Sequence, residues 1–286
     1  MKEIKKIAVI GGGLMGRQIG LNACVYGLEA RVYDLAPQVC EAVKTWKDEY
    51  LAGRIKKGRM TEEQTKKIDS LFAVEPDFAK AVDGVDLVIE AIVEKEDIKR
   101  SFFKQLNGLI PADTIIGTNS SFMVSSKFAD CVDNPSRLAN LHYYNPALVM
   151  KLVEIVKGPH TSEDTVRSLY AFCEKTGKTP VIMQKELPGF AGSRISRVVA
   201  NEARWLVANG YLTPKEVDIV CENGLNYPMG PFRLNDFTGI DITFNGMVEK
   251  YKETGEKPPM YDEYEAMVKE GHLGRKTGHG FYDYDK

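Results

Sequence analysis

The chain has 286 residues, 43% hydrophobic and 27% charged, enough apolar material for a large core in one or two domains. Its formal net charge of -2 argues against a general nucleic-acid binder, which needs dense Lys and Arg to neutralise phosphates. No apolar run reaches the roughly 20 residues of a membrane-spanning helix, and Met1 to Lys6 lead into an apolar strand and then glycines instead of a cleavage site, so a cytoplasmic protein with no membrane partner is expected.

In chain order, residues 6–10 (KIAVI) form a β-branched strand that stops at Gly11-Gly12-Gly13, and a helical stretch follows over 14–26. Residues 30–33 read as a second strand ending at Asp34, which completes a βαβ opening. Residues 37–70 carry charges at helical spacing with a break at Lys57-Gly58, and predict two helices projecting as a hairpin. Strands then recur at 71–74, 87–91, 114–117, 138–142, 153–156 and 179–182, several with helical stretches between them. Such alternation means a mainly parallel α/β sheet of Rossmann type.

The pattern changes at Leu187-Pro188-Gly189-Phe190, beyond which almost no strand signal remains. Residues 194–209 read as a helix stopped by Gly210, and Thr213-Pro214-Lys215-Glu216 as a helix start. We therefore expect an α/β domain over 1–185 and an all-helical domain over 186–286. Cysteines at 24, 40, 131, 173 and 221 include no CxxC, which fits reduced thiols and gives no zinc pattern.

Gly11, Gly13 and Gly16 form a G-x-G-x-x-G turn between a strand and a helix. Gly11 permits the tight turn, Gly13 lets backbone approach a pyrophosphate, and Gly16 lets the helix pack close to the sheet. The free N–H groups of Leu14, Met15 and Gly16 and the positive end of the helix face the anion. Asp34 would accept hydrogen bonds from the adenosine ribose and would repel a 2′-phosphate, so NAD is favoured over NADP.

Ligands of such sheets lie at the C-terminal ends of parallel strands. Two segments stand there: Thr118-Asn119-Ser120-Ser121 and His142-Tyr143-Tyr144-Asn145-Pro146. Of the four histidines, at 142, 160, 272 and 279, only His142 closes a strand, where an imidazole suits moving a hydroxyl proton at neutral pH; a structural histidine is the alternative. Glu154 sits in an apolar run, LVEIV, and a carboxylate there is costly unless paired. His142 is the obvious partner; an exposed edge-strand glutamate is the other reading.

Together, IAVIGGGLMG (7–16), DLVIEAIVE (86–94), TNSS (118–121), LHYYNPALVMKLVEIV (141–156), LPGF (187–190), YPMGPF (227–232) and GRKTGHGFYDY (274–284) resemble the 3-hydroxyacyl-CoA dehydrogenase family, particularly its short bacterial 3-hydroxybutyryl-CoA members. The resemblance spans essentially the whole chain. It implies NAD-dependent interconversion of a short-chain (S)-3-hydroxyacyl-CoA and the 3-ketoacyl-CoA in a cleft between the domains, needing neither a metal nor a covalent intermediate. It further implies His142 as general base or acid, Glu154 as its orienting carboxylate, and Ser120 at the reacting hydroxyl and nicotinamide. Asn145 would position cofactor or substrate, Glu94 and Lys99 the nicotinamide-side ribose, and Lys276 would approach the cofactor. Arg54 and Lys57 of the hairpin would meet CoA phosphates, and the helical domain would form a homodimer.

Two departures stand out. Thr118-Asn119 reverses the family's usual Asn-Thr order, and Ser193 stands where an acyl-contacting asparagine is usual. A serine offers one hydroxyl where an amide offers a carbonyl and two N–H donors, so a water beside Ser193, or Asn201, would complete that contact. The competing readings are a dehydrogenase of a non-CoA 3-hydroxy acid (gulonate- or carnitine-type) and a non-catalytic dinucleotide-binding protein.

Overall fold

The computed structural model describes residues 1–284, which divide into two compact units, Met1–Ala191 and the described residues from Gly192 onward. The first unit is a Rossmann-type α/β layer. In chain order it comprises β1 (Lys6–Ile10), α1 (Leu14–Val25), β2 (Glu29–Tyr33), α2 (Pro37–Lys56), α3 (Glu62–Leu71), β3 (Phe72–Val74), α4 (Phe78–Val82), β4 (Leu87–Glu90), α5 (Glu96–Leu106), β5 (Ile115–Thr118), β6 (Leu138–Tyr143), β7 (Leu152–Val156), α6 (Glu163–Lys175) and β8 (Thr179–Met183). Every predicted strand is present to within one residue at each end. The α2–α3 break falls where Gly58 takes a positive φ of 62°, and Thr61 then opens α3 with a reciprocal capping box to Gln64.

The eight strands lie in the order β3-β2-β1-β4-β5-β6-β7-β8. Chain direction reverses winding at β1, so β1 and β4 flank the switch point where such sheets open a crevice. All pairings are parallel except β6 with β7. Strands β4, β5 and β6 are buried along their whole length, which is why they read as continuous apolar runs rather than alternating ones.

The expected boundary near 185 differs from the observed division after Ala191. Residues beyond β8 remain with the sheet because Phe190 is fully buried against His142 and the Ala191 N–H donates to Glu154.

The second unit is helical: α7 (Ala191–Ala208), α8 (Pro214–Gly224), α9 (Pro231–Thr238), α10 (Ile240–Thr254) and α11 (Tyr261–Lys269). Thr213 and Glu216 form the predicted start of α8, each side chain accepting the other's backbone N–H. Its core joins Ala203, Val217, Phe232, Ile240, Met247 and Tyr264. Two buried aspartates tie the last residues into it. Asp236 accepts from the Phe281 and Tyr282 N–H groups and the Tyr284 hydroxyl, and Asp218 accepts from the Phe232 and Arg233 N–H groups and the Tyr282 hydroxyl.

Candidate active site

The glycine turn lies between the ends of β1 and β4. A methyl group at Gly11 would sit 2.4 Å from the Ala91 carbonyl oxygen, and one at Gly16 only 1.8 Å from the Gly11 carbonyl, so both positions are closed to side chains. At Gly13, by contrast, nothing lies within 4 Å, which leaves the backbone open outward. Gly13 is the N-cap of α1 and no side chain caps it; no acidic residue occupies the first turn. The N–H groups there keep their capacity for an anion. Asp34 accepts from the Gly12 N–H at 2.8 Å and from the Ala36 N–H at 2.9 Å. Each of its oxygens retains a lone pair for a ribose hydroxyl. These features fit a dinucleotide.

A buried charged chain crosses the ends of β4 and β5. Glu90 is fully buried; its carboxylate accepts from Lys99 Nζ at 2.5 Å, Thr118 Oγ1 at 2.6 Å and the Ile92 N–H at 2.8 Å. Burial pushes the Glu90 carboxyl upward, and these donors offset part of that push. Lys99 Nζ also reaches Glu94 at 3.1 Å, and Glu94 in turn accepts from the Ser120 hydroxyl. Burial raises the Glu94 carboxyl, but the Ser120 hydroxyl and the Lys99 ammonium outweigh it and hold it below its ordinary value. Thr118 also accepts the Ser120 N–H at 3.2 Å, and Asn119 accepts the Tyr143 N–H at 2.9 Å. The reversed Thr-Asn order thus has a local logic: a hydroxyl fits against the Glu90 carboxylate, and the amide braces β6.

His142 and Glu154 are directly opposed across the antiparallel β6–β7 pair, so the register itself puts both side chains on one face. Nδ1 of His142 lies 2.9 Å from Oε2 of Glu154, and both residues are buried. A carboxylate only accepts, so Nδ1 carries the proton and the neutral ring presents a lone pair at Nε2. The Ser121 hydroxyl lies 3.2 Å from Nε2. Glu154 also accepts from the Tyr144 hydroxyl at 2.8 Å and the Ala191 N–H at 3.0 Å. These donors stabilise a charge that would otherwise be costly to bury.

The expected residues thus fall into groups. His142 and Glu154 are brought together; Glu94, Lys99 and Ser120 form a second cluster. Ser120 turns its hydroxyl to Glu94, and the hydroxyl of its neighbour Ser121 lies on His142. Lys99 is only 1% exposed and pairs with both Glu90 and Glu94, so it braces Glu94 from behind. Asn145 is exposed in the turn after β6, which Lys178 holds by donating to the Ala147 and Met150 carbonyls. Arg54 stacks over Tyr50 in the last turn of α2, and exposed Lys57 caps that helix. In the helical unit, Ser193 lies in the first turn of α7, Asn201 lines a groove of about 420 Å³ with Arg194 and Arg197, and Lys276 pairs with both oxygens of Asp241.

Glu90, Thr118, Ser121 and Tyr144 were not singled out for these contacts from sequence. Glu90 carried a usable signal, a carboxylate inside the apolar run LVIEAIV, the same sign that marked Glu154.

The chain matches known proteins along nearly its whole length. The family model for the 3-hydroxyacyl-CoA dehydrogenase NAD binding domain matches residues 6–187, and that for the C-terminal domain matches residues 189–284. A probable 3-hydroxybutyryl-CoA dehydrogenase of Bacillus subtilis is 36% identical over 99% of both chains. The human mitochondrial hydroxyacyl-coenzyme A dehydrogenase is 35% identical over 98% of this chain and 91% of its own. The crystal structure of the (S)-3-hydroxybutyryl-CoA dehydrogenase of Ralstonia eutropha superposes with a TM-score of 0.87 at 31% identity, covering 99% of this chain and 100% of that one.

Proposed function

The chain belongs to the 3-hydroxyacyl-CoA dehydrogenase family, and from that membership we propose that it interconverts a short-chain (S)-3-hydroxyacyl-CoA, foremost 3-hydroxybutyryl-CoA, and the corresponding 3-ketoacyl-CoA. The observation that carries the residue assignment is the cross-strand pair of His142 and Glu154 with Nε2 left as acceptor. NAD, when bound, supplies the hydride acceptor for oxidation and the reduced form the donor for the reverse. Gly11, Gly13 and Gly16, with the N–H groups of Leu14 and Met15, hold its pyrophosphate, and Asp34 takes the adenosine ribose. Glu94, set by Ser120 and Lys99, serves the nicotinamide-side ribose, and Asn145 and Lys276 add polar contacts.

In oxidation, His142 Nε2 takes the proton of the substrate's 3-hydroxyl, and the Glu154 carboxylate stabilises the imidazolium that results. In reduction, the same nitrogen returns a proton to the ketone oxygen. The Ser121 hydroxyl marks the direction from which an O–H reaches that lone pair. Fixed donors and a buried carboxylate mean that little reorganises during reaction. Arg54 and Lys57 meet the CoA phosphates, and Ser193, with Asn201 nearby in α7, contacts the acyl group.

The test is NADH oxidation with acetoacetyl-CoA beside a free 3-keto acid. Preference for the thioester is expected; faster turnover of the free acid would reassign the substrate to the non-CoA class. A cytoplasmic homodimer completes the reading. Ile195, Val198 and Trp205 of α7 are 65%, 68% and 43% exposed, an apolar row suited to a second copy. Sedimentation should give a dimer at micromolar concentration, and a monomer would contradict this part.

A further inference from the structure

We infer that Tyr144 sets the proton affinity of His142 by donating its hydroxyl to the carboxylate that orients the imidazole. The inference rests on the acid–base reading above. Its basis is that one oxygen, Oε2 of Glu154, receives two hydrogen bonds, from His142 Nδ1 at 2.9 Å and from the Tyr144 hydroxyl at 2.8 Å. The Tyr144 ring also lies against the imidazole, with centroids 4.8 Å apart. Tyr144 touches the carboxylate and acts on His142 through it, so it is a positioning residue.

Glu154 stabilises the protonated imidazole by its negative charge. A phenol O–H on the same oxygen draws on that charge, so less of it is available to the Nδ1–H. The imidazolium is then held less strongly than by a carboxylate without the phenol, and the neutral base persists to lower pH. Alcohol oxidation uses the neutral ring and ketone reduction the protonated one. Tyr144 therefore biases a given pH toward oxidation.

Other groups also pack around the pair. The loop after β5 contributes the Ser121 hydroxyl on Nε2. The segment before α7 contributes the Phe190 ring, 5.1 Å from the imidazole, and the first residue of α7 the Ala191 N–H on Oε1 of Glu154. On the β8 side the residue in register with Glu154 is Val181, and the nearby cation Lys178 donates to main-chain carbonyls of residues 147 and 150.

Two measurements on the full chain test the inference. In Tyr144→Phe, which removes only the hydroxyl, the pH midpoint of kcat/KM for alcohol oxidation should move up by about half a unit to one unit, a roughly three- to tenfold change in the neutral fraction. The high-pH plateau should stay within about twofold, since the reacting atoms are untouched. Independently of turnover, the His142 ring resonance in ¹³C-histidine-labelled protein, assigned by its loss in His142→Gln, should titrate with its midpoint displaced the same way. A 3-fluorotyrosine at 144, a stronger donor, should move both midpoints down. Midpoints that coincide in wild type and Tyr144→Phe within about 0.2 unit, or that move down in the latter, overturn the inference. A displaced ring titration in a protein without dehydrogenase activity would sustain the Tyr144–Glu154–His142 coupling while defeating the proposed reaction.

Discussion

The glycine turn after β1 and the β6–β7 pair stand in one sheet, yet they are built from different material. At the turn, main chain makes the surface: Gly11 and Gly16 are closed to any Cβ, Gly13 is open, and the capacity for an anion comes from N–H groups. At the pair, side chains from opposite strands meet because a single antiparallel register places residue 142 across from residue 154. A backbone-built site is specified by what must be absent, whereas a side-chain-built site is specified by what must coincide. The first kind should govern cofactor affinity and the second the chemical step.

The largest expected effect sharpens that division. His142→Ala should lower kcat by about 10²–10⁴, the range for losing a general acid–base, while the Kd for NADH by fluorescence titration changes little. A Kd that rises as far as kcat falls would break the distinction. Gly16→Ala should do the opposite. Its methyl would need room where the Gly11 carbonyl stands 1.8 Å away, and overpacking of this kind costs about 1–3 kcal/mol, or roughly 5- to 150-fold in cofactor affinity. Under saturating NADH its kcat should stay near wild type; an equal loss in kcat would show that the turn also aligns the reacting end. The wild-type enzyme should prefer NADH to NADPH by about tenfold or more in kcat/KM, since a phosphate about 4 Å from the Asp34 carboxylate is repelled by roughly 1–4 kcal/mol. A preference for NADPH would remove Asp34 from the ribose. The smallest effect concerns Glu94. Its carboxyl is held below 4.5, so its contribution to stability is complete above that pH and is lost as pH falls through its lowered value. The Tm difference between wild type and Glu94→Gln should close on acidification below pH 4.5, and a gap that widened there would reverse the assigned sign.

The same division governs what was legible in the sequence. The glycine turn, the strands and the Thr213 cap are local patterns, read from spacing and residue type. Glu154 could be marked as needing a partner because a carboxylate in an apolar run demands one. That its partner lies opposite in register depends on β7 reversing direction, and no local periodicity encodes that. That Ser120 faces Glu94 while Ser121 faces His142 is likewise a matter of which way two adjacent hydroxyls point at the end of β5. Lys99 was expected at the ribose only through the family resemblance, and no pattern along the chain marks it as buried. Its burial follows from Glu90 at the end of β4, a partner invisible to a charge pattern along α5.

The aspartates that clasp the final residues carry a consequence for biosynthesis. Asp236 in α9 and Asp218 in α8 find donors in the Phe281–Tyr284 stretch, so these helices leave the ribosome with part of their polar shell still inside the exit tunnel. The strands of the sheet unit all precede residue 184 in the chain, whereas the helical unit acquires its full set of ties only after residues 281–284 are made. Nascent chains paused before residue 281 would therefore expose an incomplete helical half to the cell's chaperones, and synthesis of residues 281–284 decides when that exposure ends.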